Sequence, residues 1–223
     1  MMYPTEQESK ELICEVGKLL YTRGYVVIND GNISVRTGEN EIWVTPSGVS
    51  KGRMTPGMLV KVDLAGNILE GERYPSSEAK MHLLAFRENP ATRAVLHAHP
   101  PLSTSFAICR RPIDKRYLPE MLMGLGPVPV ASFALPSTEA VPDSVKPFLK
   151  DYNAVLLANH GVLTWGTDLW QAFDRLEVVE SSAKVILTVE QMGGGVEISV
   201  EDTAAMLSMA DQYKKLAQKR DAQ

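Results

Sequence analysis

The sequence predicts an α/β fold in which α-helices flank a central, mostly antiparallel β-sheet, within one domain that spans residues 1–223. A chain of 223 residues, 44% of them apolar, is long enough to bury one substantial core. Between residues 32 and 70, short extended segments alternate with turns, which is typical of an antiparallel sheet. After residue 76, strand and helix patterns alternate, which predicts helices packed on that sheet.

The first helix is predicted by its capping residues and by the spacing of its apolar residues. Thr5, followed three residues later by Glu8, forms a capping-box pattern. One helix face then carries the apolar residues Leu12, Ile13, Val16, Leu19 and Leu20. Gly24 is a residue type that commonly ends a helix, so we expect this helix to end there.

Short strands are predicted to follow the first helix as an antiparallel meander. Their expected positions are residues 32–36, 41–45, 58–63 and 68–70. Ile33 and Val35 share one face of the first strand, because side chains alternate along a strand. The Ala65-Gly66-Asn67 segment is a turn signal between the last two strands.

The rest of the chain is predicted to alternate between helices and strands. Helices are expected from Ser76 through Phe86, from Leu102 to near Cys109, from Ser137, from a cap at Thr167 to the glycines at 193–195, and from about Ser199 past Tyr213. Strands are expected at residues 93–99, 129–134, 154–158 and 162–165. We expect two or three helices to cover the sheet.

Charge and composition exclude several classes of function. The 23 Lys and Arg residues against 27 Asp and Glu residues give a net charge of −4, which argues against broad binding to nucleic acid or to an anionic membrane. No apolar run approaches the roughly 18 residues that span a bilayer, and the N-terminus lacks an apolar signal core. Cys14 and Cys109 are expected to be reduced, core-filling thiols. These features predict a cytoplasmic protein with a small-molecule ligand.

Three of the four histidines follow the pattern of a metal site. His97 and His99 are two residues apart on a predicted strand, so both project from the same side. Two strand histidines without a metal are the alternative interpretation, but His160 also follows an apolar strand, just before Gly161. Three histidines with open coordination positions indicate a catalytic Zn²⁺ site, with Mn²⁺ or Co²⁺ as alternatives. His82, in mid-helix, is expected to be a packing residue or to support a ligand.

Glu78 and several small polar loops are the other candidates for chemistry. Glu78 follows Ser76 and Ser77 at a predicted helix start, where an acidic residue also has an ordinary stabilising role. The two serines are placed to bind a phosphate group at the helix N-terminus. Asn32 and the Ser47-Gly48 pair lie in similar loops, each of which is also compatible with a plain turn.

Taken together, these motifs identify a family resemblance. The ordered set is GNIS at 31–34, TPSG at 45–48, PSSE at 75–78, HAHP at 97–100 and NHG at 159–161. With this set, nearly the whole chain resembles the class II aldolase/adducin family, and it is most similar to the L-fuculose-1-phosphate aldolase branch. The resemblance implies a three-layer α/β/α domain, zinc dependence, a cytoplasmic location and a homotetramer with active sites at subunit interfaces.

The resemblance also implies roles for individual residues. His97, His99 and His160 match the zinc ligands, and Glu78 matches the catalytic acid/base. The residues that match the phosphate cradle are Asn32, Ser47, Gly48, Ser76 and Ser77.

Two tyrosines are further candidates for catalysis. Family aldolases use a tyrosine from a neighbouring subunit, and an ungapped alignment places Leu118 at that position, with Tyr117 one residue away. Tyr213 aligns with a tyrosine in the family's C-terminal tail, although it is equally compatible with an aromatic residue on an amphipathic helix. Leu135 stands where the family has a phenylalanine in the aldehyde pocket, which predicts a different aldehyde.

The activity implied by the resemblance is a zinc-dependent aldolase that cleaves a ketose 1-phosphate into dihydroxyacetone phosphate and a short aldehyde. The main alternative is a metal-dependent decarboxylase of a phosphorylated 3-oxo sugar acid, which requires the same stabilised enolate. A sugar-phosphate dehydratase and a 4-epimerase follow, although the epimerases characteristically have Asp where this chain has Glu78. A non-enzymatic, adducin-like interaction domain is the alternative from a different class.

Overall fold

The computed structural model describes residues 3–221, with side chains described through residue 210 and at Gln212. The helices are α1 (Glu6–Thr22), α2 (Ala79–Glu88), α3 (Pro101–Ile108), α4 (Ala140–Val145), α5 (Leu169–Gln191) and α6 (Val200–Asp221). The strands are β1 (Asn32–Gly38), β2 (Glu41–Val44), β3 (Val60–Val62), β4 (Ile68–Glu70), β5 (Ala94–Ala98), β6 (Val130–Ala131), β7 (Ala154–Leu157) and β8 (Gly161–Gly166).

Within the described residues, all eight strands form one sheet in the order β4-β3-β2-β1-β5-β8-β7-β6. Every neighbouring pair is antiparallel except β6 and β7, which are parallel. The predicted α/β fold with a mostly antiparallel sheet is therefore confirmed. The predicted capping box at Thr5 and Glu8 is also present at the start of α1.

Helices cover both faces of the sheet and create two cores. On one face, α1, α3 and α5 pack on the sheet, with Leu20, Phe106 and Leu176 among the buried residues. On the other face, α2 and α4 contribute Phe86 and Val145 to a second buried cluster. The sheet is thus the middle layer of an α/β/α arrangement.

Several predicted element boundaries differ from the structure: α2 begins at Ala79 rather than Ser76, and β3 spans Val60–Val62 rather than 58–63. Three further differences have a clear local reason. Strand β6 has two residues rather than six, because the segment pairs with β7 only over that length. Helix α4 begins at Ala140 rather than Ser137, whose φ of 66° is left-handed and therefore not helical. Helix α5 is capped by the side chain of Asp168 rather than by Thr167.

Two other expectations are wrong. Five helices cover the sheet in the described part of the chain, rather than two or three, because the short helices α3 and α4 also contribute to the two cores. Cys109 is exposed and does not fill the core. Cys14 is half-buried, and burial raises its thiol pKa to about 11.

Side-chain alternation along β5 determines which core each residue faces. Leu96 and Ala98 pack in the core of α1, α3 and α5. Val95 packs in the core of α2 and α4, so His97, two residues later, points to the same side as Val95. The N-terminal end of α2 is therefore on the face of the sheet that receives the histidine side chains.

Among the described residues, no helix combines the length and the apolar character required to cross a bilayer.

His82 connects α2 to the sheet. Its Nδ1 atom lies 2.7 Å from the hydroxyl oxygen of Ser34 in β1, and both residues are buried. Burial lowers the pKa of His82 from 6.5 to about 3, which keeps the ring neutral near pH 7. The expected packing role of His82 fits this position.

This lowered pKa predicts acid destabilisation of the fold. The unfolded chain protonates His82 near pH 6.5, whereas the folded chain does so near pH 3, so the free energy of unfolding decreases by roughly 1.4 kcal/mol per pH unit between these values. We expect wild type to lose roughly 2 kcal/mol more than His82→Gln between pH 6.5 and pH 5, measured by urea unfolding. Equal losses of stability in both proteins would show that the pKa of His82 is not lowered in the folded state.

Candidate active site

Three histidines converge at one edge of the sheet. His97 lies near the end of β5, His99 follows that strand, and His160 precedes β8, the antiparallel neighbour of β5. Their ring centroids are 4.7 to 5.1 Å apart, and one ring nitrogen from each lies within 4.8 Å of the others. The chain therefore has a histidine triad that is able to bind a metal ion.

Hydrogen bonds orient the rings toward a common centre. Nδ1 of His97 donates to the carbonyl oxygen of Val162 at 2.8 Å, which leaves its Nε2 lone pair facing Nε2 of His99 at 2.9 Å. Nδ1 of His99 faces a carboxylate oxygen of Asp30 at 3.7 Å. Two nitrogens bound tetrahedrally to one zinc ion lie about 3.3 Å apart, so this donor set fits a divalent metal.

The close approach of the rings depends on Gly161. A Cβ atom at this position would lie 2.5 Å from both the carbonyl oxygen of Ala98 and Cδ2 of His99, and 3.1 Å from Cε1 of His97. Any side chain at residue 161 would therefore push β5 and the rings apart.

The carboxylate of Glu78 extends into the same centre. Glu78 is the N-cap residue of α2, but its side chain does not cap the helix. Its Oε1 lies 3.0 Å from Nε2 of His160, its Oε2 lies 3.6 Å from Nε2 of His97, and the amide of Asn32 donates to Oε2 at 2.8 Å. Asn32 reaches this position because it pairs directly with His97 across β1 and β5.

Burial and neighbouring groups determine the charge states at this centre. Burial alone would raise the pKa of Glu78, but His97, His160 and the Asn32 amide outweigh it and hold that pKa well below its usual range. Burial lowers the pKa of His97 well below 6.5 and also lowers that of His99. Neutral imidazoles beside an ionised carboxylate are the form that binds a metal ion.

The residues predicted to form the phosphate cradle are adjacent to the histidines. A cavity of about 210 Å³ is lined by His99, His160 and Glu78, and by all five predicted residues: Asn32, Ser47, Gly48, Ser76 and Ser77. Two backbone hydrogen bonds hold the two serine loops together, from Ser47 N to Tyr74 O and from Ser76 N to Thr45 O. The structure thus brings two of the predicted metal ligands, His99 and His160, into one cavity with the predicted phosphate loops, while His97 lies buried directly behind them.

Several features of this cavity favour an anion. The N-terminal end of α2 adjoins the cavity, and a helix N-terminus presents partial positive charge. Within the described residues, the backbone amides of Gly48 and Ser77 donate to no acceptor. The hydroxyl of Ser76 accepts from the Asn32 amide at 3.2 Å, which connects the loops to Glu78.

Three residues at or near the site are absent from the sequence predictions. Asp30 faces His99, and Lys51 lines the cavity. Glu180 of α5 accepts hydrogen bonds from the backbone amides of Leu102 and Ser103 at 3.0 and 2.8 Å. These bonds hold the start of α3, which follows β5 and His99 in the chain. The Asp30-Gly31 turn is a local signal that could have indicated Asp30, whereas Lys51 and Glu180 become part of the site only through folding.

Of the two predicted tyrosines, Tyr117 does not line this cavity. Tyr117 packs against the core, and its ring lies about 3.5 Å from where a Cβ on Gly195 would be. Tyr213 belongs to α6, but its side chain lies outside the described residues. Their catalytic roles remain predictions.

Comparisons with known proteins agree with this architecture. Residues 11–187 match the family model described as Class II Aldolase and Adducin N-terminal domain. A 3-oxo-tetronate 4-phosphate decarboxylase of Haemophilus influenzae is 35% identical, over 83% of this chain and 90% of the relative. An L-fuculose phosphate aldolase of Methanococcus maripaludis is 33% identical, over 77% of this chain and 92% of the relative.

A solved structure shows the same fold. An L-fuculose 1-phosphate aldolase superimposes with a TM-score of 0.85 at 30% identity, and the match covers 93% of this chain and 97% of the other. The curated relatives thus include two kinds of lyase that act on phosphorylated sugars or sugar acids.

Proposed function

Since this chain belongs to the class II aldolase and adducin family, we propose that it is a metal-dependent lyase that decarboxylates a phosphorylated 3-oxo sugar acid. The sequence motifs are compatible with this reaction as the alternative to an aldolase. The decarboxylase relative at 35% identity supports the choice of reaction. A four-carbon acid such as 3-oxo-tetronate 4-phosphate is the substrate class that we propose.

The observation that carries the proposal is the position of Glu78, which contacts His97 and His160 and lines one cavity together with His99, His160 and the phosphate loops. A substrate held by its phosphate group at the serine loops would extend its carbonyl carbon toward the histidines. Glu78 is then a carboxylate near both ends of the substrate. Decarboxylation requires proton transfer at one carbon only.

The proposed reaction breaks the bond between C1 and C2 of the acid. C1 leaves as CO₂, and the electron pair of the broken bond remains on C2, where it is delocalised onto the oxygen at C3. C2 then takes up one proton from solvent. For a four-carbon substrate, the product is dihydroxyacetone phosphate.

Each group in the cavity has a role in this reaction. Glu78 relays the proton to C2, while the Asn32 amide holds its carboxylate in place. A divalent metal ion, when bound by His97, His99 and His160, supplies a Lewis acid for the C3 oxygen. The serine loops hold the phosphate group and thereby fix the position of C2 relative to Glu78.

Retro-aldol cleavage of a ketose 1-phosphate is the second candidate. Its support is the structural similarity to an L-fuculose 1-phosphate aldolase. Both reactions pass through the same enediolate of dihydroxyacetone phosphate, but the aldolase must also move a proton at the oxygen of the departing aldehyde. Tyr117 of a neighbouring subunit, or Tyr213, is the group that we propose accepts this proton during cleavage and returns it in the reverse aldol addition.

Product analysis distinguishes the two reactions. We expect the zinc-loaded protein to convert 3-oxo-tetronate 4-phosphate into equal amounts of CO₂ and dihydroxyacetone phosphate, and to leave L-fuculose 1-phosphate unchanged. The rate must be corrected for spontaneous decarboxylation, with Glu78→Gln protein as the matched control. Release of an aldehyde from L-fuculose 1-phosphate, without CO₂ from the oxo acid, would contradict the decarboxylase proposal and favour the aldolase.

The identity of the metal, the oligomeric state and the cellular location are further parts of this proposal. We propose Zn²⁺ as the metal, because three histidine ligands with open coordination positions are typical of catalytic zinc. We also propose a cytoplasmic homotetramer in which neighbouring subunits complete each active site.

A further inference from the structure

A buried lysine lies beneath the phosphate loops. Lys51 is only 2% exposed, although its side chain lines the cavity that holds Glu78 and the histidines. Its ammonium group donates to the carbonyl oxygens of Asn29 and Val49 at 2.8 and 2.9 Å. A lysine is rarely buried unless its charge has a specific use.

The two carbonyl groups belong to the two loops that lead into the cradle. Asn29 lies three residues before Asn32, and Val49 directly follows the Ser47-Gly48 pair. Lys51 therefore connects the two loops from below. An ammonium group has three N–H donors, and these two carbonyl groups use two of them.

The charges in the cavity make Lys51 important for an anionic ligand. Among the described residues, the Lys, Arg, Asp and Glu side chains that line the cavity are those of Lys51, Asp30 and Glu78. A phosphate monoester carries close to two negative charges at neutral pH. Without Lys51, that group would enter a cavity whose other charged side chains are both acidic.

The charge state and the backbone of Lys51 suit this role. Burial lowers the pKa of Lys51 to about 8, while Asp30 and Glu78 favour its charged form. Its carbonyl oxygen packs against α1 at Gly17, where a Cβ would lie 2.8 Å away. The short 3₁₀ helix that carries it, Lys51–Arg53, is thus held closely against α1.

We propose that Lys51 is the residue that makes this cavity selective for a phosphate monoester over the corresponding alcohol. Its ammonium group balances the charge of the phosphate group and directs its third N–H toward it. The inference rests on the proposed function, because it concerns the phosphate end of the same substrate. Holding the two loops together is a separate, structural role, which the experiment must distinguish from charge.

The test compares Lys51→Gln and Lys51→Met with wild type and with Lys150→Met, an exposed lysine. Glutamine keeps N–H donors for the two carbonyl groups but removes the charge. Calorimetry on the zinc-loaded proteins measures binding of dihydroxyacetone phosphate and of dihydroxyacetone, so contacts with the metal are common to both probes. We expect Lys51→Gln to weaken binding of the phosphate ester by about 30-fold and to change binding of dihydroxyacetone by less than about threefold.

Equal weakening of both probes would overturn the proposal and leave Lys51 with the structural role. Failure of both variants to fold, detected by circular dichroism, would have the same consequence. Lys150→Met is expected to match wild type. If wild type binds the phosphate ester through Lys51 but releases no CO₂ from the oxo acid, the proposed function fails while the role of Lys51 stands.

Discussion

Replacing Glu78 by glutamine is expected to slow decarboxylation by about 100-fold or more while leaving the fold and the bound metal in place. Glutamine has nearly the same shape and can still hydrogen-bond with Asn32 and His160, whose contacts with Glu78 are 2.8 and 3.0 Å. It cannot carry a proton to C2. The loss should therefore be in kcat, with a small change in KM.

Incubating added dihydroxyacetone phosphate with the zinc-loaded protein tests the proton-transfer step without any loss of CO₂. In D₂O, wild type is expected to incorporate deuterium at the hydroxymethyl carbon of dihydroxyacetone phosphate, and Glu78→Gln should lose this exchange together with decarboxylation. Elemental analysis must show equal metal content in both proteins. Normal exchange in the variant would assign the proton to another group.

The histidine centre could be predicted because its geometry is encoded locally. A two-residue spacing on a strand places His97 and His99 on one face whatever the rest of the fold does. The third member of the triad, His160, is predicted from its position at the end of an apolar strand, and β8 does lie next to β5. The convergence of the three rings follows from that pairing.

Other parts of the site depend on long-range contacts that no local pattern encodes. Lys51 resembles an ordinary surface lysine in the sequence, and only the packing of the Lys51–Arg53 segment against α1 buries it. Glu180 lies 77 residues from Ser103, and its carboxylate accepts a hydrogen bond from the backbone amide of Ser103. Such contacts depend on how α5 crosses α3, and apolar spacing does not determine that crossing.

The sequence motifs are shared by decarboxylases and aldolases for a chemical reason. Both reactions require the same metal-capable triad, the same phosphate loops and the same carboxylate, because both produce the same three-carbon enediolate. The motifs at residues 31–34, 75–78 and 97–100 are therefore compatible with either one. The difference lies in groups that contact the departing fragment, and Tyr117 does not line the cavity in the described part of this chain.

Removing one imidazole is expected to have the largest effect of all. His97 is fully buried, and its Nε2 lies 2.9 Å from His99 and 3.6 Å from Glu78, so His97→Ala removes a central donor. We expect metal content to fall from about one ion per chain to less than about one tenth, and activity to fall to background. Added zinc should raise the melting temperature of wild type but not that of His97→Ala, because only a bound ligand stabilises the folded state.

The matched control is His82→Gln, which removes the one histidine outside the triad. His82 is bonded to Ser34, and it lies on α2 four residues after Glu78, so this variant perturbs the same region without removing a proposed ligand. It should retain its metal and its zinc-dependent rise in melting temperature. Equal metal content in wild type and His97→Ala would exclude His97 as a ligand, whereas loss of metal from both variants would show that the integrity of α2, rather than the triad alone, controls binding.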